Sequence, residues 1–149
     1  MTKLDPIEWC DTFRTGVEDI DSQHKVLLTT LNGLSAGLSG PFDERAFDEV
    51  IRGLLAYAIF HFETEELLMK RHGYDLAESA DAAAHVRAHR DFSAHMVNMR
   101  HVTLKEHVDA REVMLSFLYD WLLNHISGTD QRLASFILAH PTLTSPLEG

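Results

Sequence analysis

Residues 61–69 read His61-Phe62-Glu63-Thr64-Glu65-Glu66-Leu67-Leu68-Met69, at the end of a long run with helical periodicity. Upstream, Phe47, Val50, Leu54 and Ala58 recur at alternating steps of three and four, and the same steps continue through His61, Glu65 and Leu68. That spacing marks one face of an α-helix. With about 100° of turn per residue, His61 and Glu65 stand about 40° apart and about 6 Å along the axis, both on the apolar seam. Glu66 falls about 140° from His61, so Glu65 is the acid that points inward. A buried carboxylate is unfavourable unless it is paired or bound to metal, and a buried imidazole needs a hydrogen-bond partner or a metal. The helix therefore carries polar donors where its core contacts belong.

Three further seams repeat the pattern. His24, Leu28, Leu31 and Leu38 share one, with weaker regularity at Ser35; His85, His89, Phe92, Met96 and Met99 share the next; Met114, Leu118, Trp121 and His125 share the last. No segment alternates apolar and polar residues over a useful length, so strands are not expected. Punctuation predicts a first helix from a cap near Asp21 to the break at Ser39-Gly40-Pro41, and a second from about Asp43 to Gly73. A third lies within about Ala80 to Thr103, and a fourth runs from about Asp109 to Ser127, followed by a short stretch over 130–138. The fold expected is all-α: an antiparallel up-down-up-down four-helix bundle with an N-terminal arm and a short C-terminal helical segment. One domain over 1–149 is expected, with the arm at about 1–20, anchored by Trp9 and Phe13, the bundle at about 21–128 and the segment beyond.

Composition narrows the function. The 149 residues suffice for one core without covalent staples, and 45% hydrophobic with 24% charged residues is ordinary for a soluble domain. A formal net charge of −10 argues against a nucleic-acid partner. The N-terminal stretch lacks the apolar core of a signal peptide and no run approaches a membrane span, so no membrane association and a cytoplasmic location are expected. With Cys10 as the single cysteine, neither an intramolecular disulfide nor a zinc site built on several thiolates can form. Ten histidines are the anomaly.

A lone histidine on an apolar stripe is ordinarily a satisfied core residue, and a lone HxxxE pair is weak evidence. Here every seam carries an imidazole, and a bundle directs its seams into one interior where metal sites are built. His125 and Asp130 are five apart, a spacing that splays them by about 140° on a regular helix. Both reach one site only if the helix widens or ends between them, at Ser127-Gly128; the alternative is that Asp130 caps the segment that follows. The donors are then His24, His61, His85, His89, His125, Glu65 and Asp130. Seven exceed what one ion needs, whereas two ions bridged by both carboxylates would use them all. Imidazole with carboxylate suits iron, with zinc, manganese and cobalt open to the same donors.

Trp9 with GVEDIDSQH at 16–24, HFETEELLM at 61–69, HVRAHRDF at 85–92 and WLLNHISGTD at 121–130 together resemble the hemerythrin family over nearly the whole chain. The resemblance implies a non-haem centre of two iron ions with an oxo or hydroxo bridge, also bridged by Glu65 and Asp130. By position, His85, His89 and His125 would hold a saturated iron, and His24 and His61 one with an open place for dioxygen. It implies reversible dioxygen binding for storage, delivery or sensing, with no catalytic residue. Leu28, Trp121 and Ile126 are the large apolar residues expected to keep the dioxygen pocket dry; simple core packing is their bland role. A di-iron enzyme reducing peroxide or nitric oxide, and a bundle that only holds metal for signalling, are the competing readings; no protein partner is indicated. Two departures are visible: Tyr74-Asp75 stands where the family carries tyrosine-proline, and residues 75–84 lengthen the link to His85. His72, His95, His101, His107 and His140 match no ligand position, and Cys10 is assigned no role.

Overall fold

The computed structural model describes residues 7–37, 44–103 and 108–141. Among them there is no strand, and the fold is all-α. Helix α1 spans Glu18–Gly37, α2 Glu44–His72, the single turn α3 Tyr74–Ala77, α4 Ser79–Thr103, α5 Val108–Asn124 and α6 Asp130–Ala139, with a π turn over His125–Thr129 joining the last two. Helix α1 packs on α2, α2 on α4, α4 on α5 and α5 back on α1, which closes the four-helix ring. Acidic residues open α1, and Lys70, Arg71 and His72 close α2, so both helices have their dipoles complemented. Gly73 ends α2 with φ of 79°, a left-handed conformation that a residue without Cβ adopts freely.

Several local expectations are corrected. Helix α1 starts at Glu18, before Asp21, so Asp21 is not its cap. Its carboxylate instead accepts from the backbone N–H of Thr15 and Gly16 and from the Thr15 hydroxyl, fastening the preceding loop. On α2 it is Ile51 that is buried, while Val50 is exposed: the seam drifts because 3.6 residues per turn do not keep a strict alternation of three and four. The lengthened link after α2 folds as α3, whose Tyr74 is buried against Phe136, and α4 begins directly after it. The break at Ser39-Gly40-Pro41, the start at Asp43, and Leu38 of the first seam lie outside the described residues.

From Ile7 onward the arm is tied down, with the two expected aromatic anchors in place. Trp9 and Phe13 pack on the core, and Asn32 of α1 exchanges two hydrogen bonds with the Ile7 backbone while accepting a third from the Tyr119 hydroxyl.

Buried apolar side chains divide into two clusters. The larger includes Leu28, Phe62, Phe92 and Ile126, and the smaller Ile20, Leu68, Met69, Ala82 and Leu133. On each strut of the bundle the two clusters are separated by donors: His24 lies between Ile20 and Leu28, His61 and Glu65 between Ala58 and Leu68, His85 and His89 between Ala82 and Phe92, and His125 with Asp130 between Leu122 and Leu133. A polar layer thus crosses an otherwise apolar interior.

Candidate metal centre

All seven expected donors meet in that layer, each at most 4% exposed. His24 comes from α1, His61 and Glu65 from α2, His85 and His89 from α4, His125 from the π turn and Asp130 from the start of α6. The π turn resolves the spacing of five. The Asp130 N–H bonds to the His125 carbonyl, an i→i+5 bond, and a wide turn of this kind brings residue i+5 back over residue i. The capping role for Asp130 is excluded, since the N-cap position of α6 falls on Thr129 and the Asp130 side chain is fully buried in the donor layer.

The imidazoles converge through Nε2. Glu65 Oε1 lies 3.1 Å from His89, 3.4 Å from both His61 and His85, and 3.6 Å from His125. Asp130 places Oδ2 2.6 Å from His24 and 3.7 Å from His61, and Oδ1 2.9 Å from His125 and 3.0 Å from His85. The donor atoms form two groups, each with its atoms within 4.8 Å of one another: Glu65, His85, His89, His125 and Asp130, and His24, His61, Glu65 and Asp130. Glu65 and Asp130 belong to both.

The donors fit dications better than they fit one another. Both Glu65 oxygens, Asp130 Oδ1, His61 Nε2 and both His85 nitrogens are buried without a hydrogen-bond partner. His85 and His125 are near enough to Asp130 Oδ1 by distance but not aligned with it, as expected of lone pairs aimed at a shared point. Ligand atoms about 2.1 Å from one ion, at right angles, stand about 3 Å apart, which is the spacing seen. Seven buried donors without a cation would leave several polar atoms uncompensated, each costing on the order of 1–3 kcal/mol.

Burial sets the protonation of the metal-free chain. It lowers His61 to about 4, outweighing the opposing pull of Asp130, and lowers His89 to about 2, with His125 and His85 adding to the effect. His85 is lowered for the same primary reason. Burial, and then the Asp130 charge, raises Glu65 well above the carboxylate range. Burial alone would raise Asp130 too, but His125, His24 and His61 hold it well below. Neutral imidazoles are what a metal requires, so His61, His85 and His89 need lose no proton on binding, whereas the Glu65 carboxyl gives its proton up.

These shifts carry a sign. A histidine whose folded pKa is depressed takes up fewer protons folded than unfolded, so stability falls as pH drops from 6.5 towards the folded value. For His61, with a folded value of about 4, the loss at pH 5 is about 2 kcal/mol. Glu65 acts oppositely, weakening the fold as pH rises above 4.5. Metal-free Glu65→Gln removes that offset and is expected to denature at lower urea concentration at pH 5 than at pH 7; equal midpoints would contradict the buried neutral imidazoles.

The expected pocket residues are also placed. Leu28 and Ile126 are buried in the larger cluster, and Trp121, partly buried, stacks on His125 with ring centroids 4.4 Å apart. Phe62, which lies off the seam expected for α2, stacks on His89 at 4.0 Å and 9°. Gln23 and Glu66 were missed as well: their side-chain oxygens face the outer nitrogens of His61 and His89. Position alone could flag them, since Gln23 adjoins His24 and Glu66 adjoins Glu65.

A family model described as the hemerythrin HHE cation binding domain matches residues 15–137. The chain is 33% identical over 132 residues to a bacteriohemerythrin of Stenotrophomonas maltophilia (strain R551-3), covering 89% of this chain and 82% of that protein. It is 33% identical over 122 residues to a bacteriohemerythrin of Pseudomonas aeruginosa (strain LESB58), with 82% and 75% covered. A myohemerythrin of Theromyzon tessulatum is 29% identical over 126 residues, with 85% and 89% covered.

Proposed function

The chain belongs to the hemerythrin family, and from that premise we propose that it binds dioxygen reversibly at two non-haem iron ions joined by an oxo or hydroxo bridge. The observation that carries the reading is that two buried donor groups share Glu65 and Asp130. His85, His89 and His125 serve one ion, His24 and His61 the other, and the carboxylates serve both. Bound there, iron would supply two one-electron reducing equivalents to a small ligand.

What the chain contributes is position, charge and dryness. Two anionic carboxylates offset part of the charge of two dications in a low-dielectric interior. Phe62 and Trp121 stack on His89 and His125 and restrict the ring rotations that would misalign their nitrogens. Leu28 lies one helical turn beyond His24 on the same face of α1, and Ile126 adjoins His125, so both close the layer from the side of the larger apolar cluster. An apolar shell controls the access of water and charged reductants. No helix among the described residues is long and apolar enough to cross a membrane.

The test is iron analysis followed by stopped-flow absorption of the reduced protein mixed with dioxygen. Two irons per chain are expected, with an absorption band that appears with dioxygen and fades on its removal. Steady consumption of reductant would favour an enzyme reducing peroxide or nitric oxide. A reduced protein indifferent to dioxygen would favour a bundle that only holds metal for signalling, and either outcome would overturn the reading.

A further inference from the structure

The two donor groups differ in what stands behind their imidazoles. His89 donates its Nδ1–H to Glu66 Oε2 at 3.0 Å, whereas His61 donates its Nδ1–H to Gln23 Oε1 at 2.8 Å. A carboxylate can only accept, so His89 carries hydrogen on Nδ1 and presents the Nε2 lone pair to the centre. Gln23 is oriented by its own amide, which donates to the Thr64 hydroxyl at 3.1 Å, and it is buried. The Glu66 side chain is 35% exposed and opens on a surface cleft between α2 and α4 that Lys70, Arg87 and Arg90 also line. One imidazole is backed by a charge, the other by a neutral amide.

A carboxylate hydrogen-bonded to a ligating imidazole raises its basicity, and a fixed negative charge nearby favours the more positive state of a metal. We propose that Glu66 is a positioning residue that also sets redox order: it makes the iron of His85, His89 and His125 the more readily oxidised of the pair, while Gln23 leaves the iron of His24 and His61 the less readily oxidised. This rests on the di-iron reading above. In that reading the three-imidazole ion gives up its electron at lower potential, and the asymmetry is written into side chains that touch no metal.

The experiment is a spectroelectrochemical titration of the iron-loaded protein at fixed pH, with iron content measured on each sample. Glu66→Gln keeps an acceptor oxygen at the same reach and removes the charge. It is expected to keep both irons, to raise the potential of one redox step by about 59 mV, a tenfold shift in its oxidised-to-reduced ratio, and to move the other step less. Glu66→Ala, lacking the acceptor, is expected to hold iron 10–100-fold more weakly as well. Gln23→Glu is expected to lower the potential of the opposite step. Full iron with both potentials unchanged in Glu66→Gln would overturn the inference, and so would loss of iron from that variant, because a neutral acceptor should suffice for positioning. A wild-type chain without two irons would instead refute the di-iron reading.

Discussion

Replacing Glu65 with alanine is expected to abolish binding of both ions together, not of one. Its Oε1 atom faces four of the five candidate donor nitrogens, and the residue belongs to both donor groups. Without it the layer keeps five imidazoles and a single anion, too little charge to offset two dications. The effect on the fold has two parts of opposite sign. In the metal-free protein, alanine removes two buried, unpartnered carboxyl oxygens, so the melting temperature should hold or rise. In the presence of iron the wild type gains the free energy of binding, on the order of 4 kcal/mol with metal a thousandfold above its dissociation constant. For a chain of this length that is a rise of roughly 10 °C in melting temperature. Calorimetry with and without iron should show that rise in the wild type and none in Glu65→Ala. A variant that retained two irons per chain would sink the assignment of Glu65 as the shared ligand.

How much of this centre could be read from residue order depended on whether helical regularity held. Within α2 and α4 the backbone is regular, so His61 with Glu65 and His85 with His89 followed from a turn of about 100° per residue. Asp130 could not be placed that way, because its position depends on the π turn, and Ser127-Gly128 permits such a turn without requiring it. The seam of α2 drifted by one residue, from Val50 to Ile51, at the end remote from the donors, where phase error has accumulated. Asp21 was misread because favoured caps are also favoured loop fasteners: the same carboxylate satisfies N–H groups on the loop side of the helix start. Glu66 was missed for a different reason. A helix places it about 140° from His61, away from the seam, yet its carboxylate reaches the far nitrogen of His89. Helical phase locates backbones; it does not limit where a flexible acid ends.

The second large effect concerns water. Ile126 is fully buried at the boundary where the apolar cluster meets the donor layer, adjacent to His125. Ile126→Ala leaves a cavity and is expected to cost about 2–5 kcal/mol of stability. Leu115→Ala, made within the same cluster but away from the donors, should cost about as much. The two cavities should nevertheless behave differently. An apolar void stays dry, whereas a void that borders polar atoms offers water the hydrogen-bond partners it needs, and the donor layer holds several without one. Ile126→Ala is therefore expected to admit water to the centre and to shorten the lifetime of the dioxygen-dependent absorption band by on the order of tenfold, equivalent to about 1.4 kcal/mol from the barrier. Leu115→Ala should leave that lifetime unchanged at equal loss of stability. Measuring the decay of the band in both variants, beside their urea midpoints, separates loss of packing from loss of dryness. Equal lifetimes in wild type and Ile126→Ala would show that this side chain does not keep water from the metals, and parallel shortening in both variants would assign the effect to general loosening of the bundle.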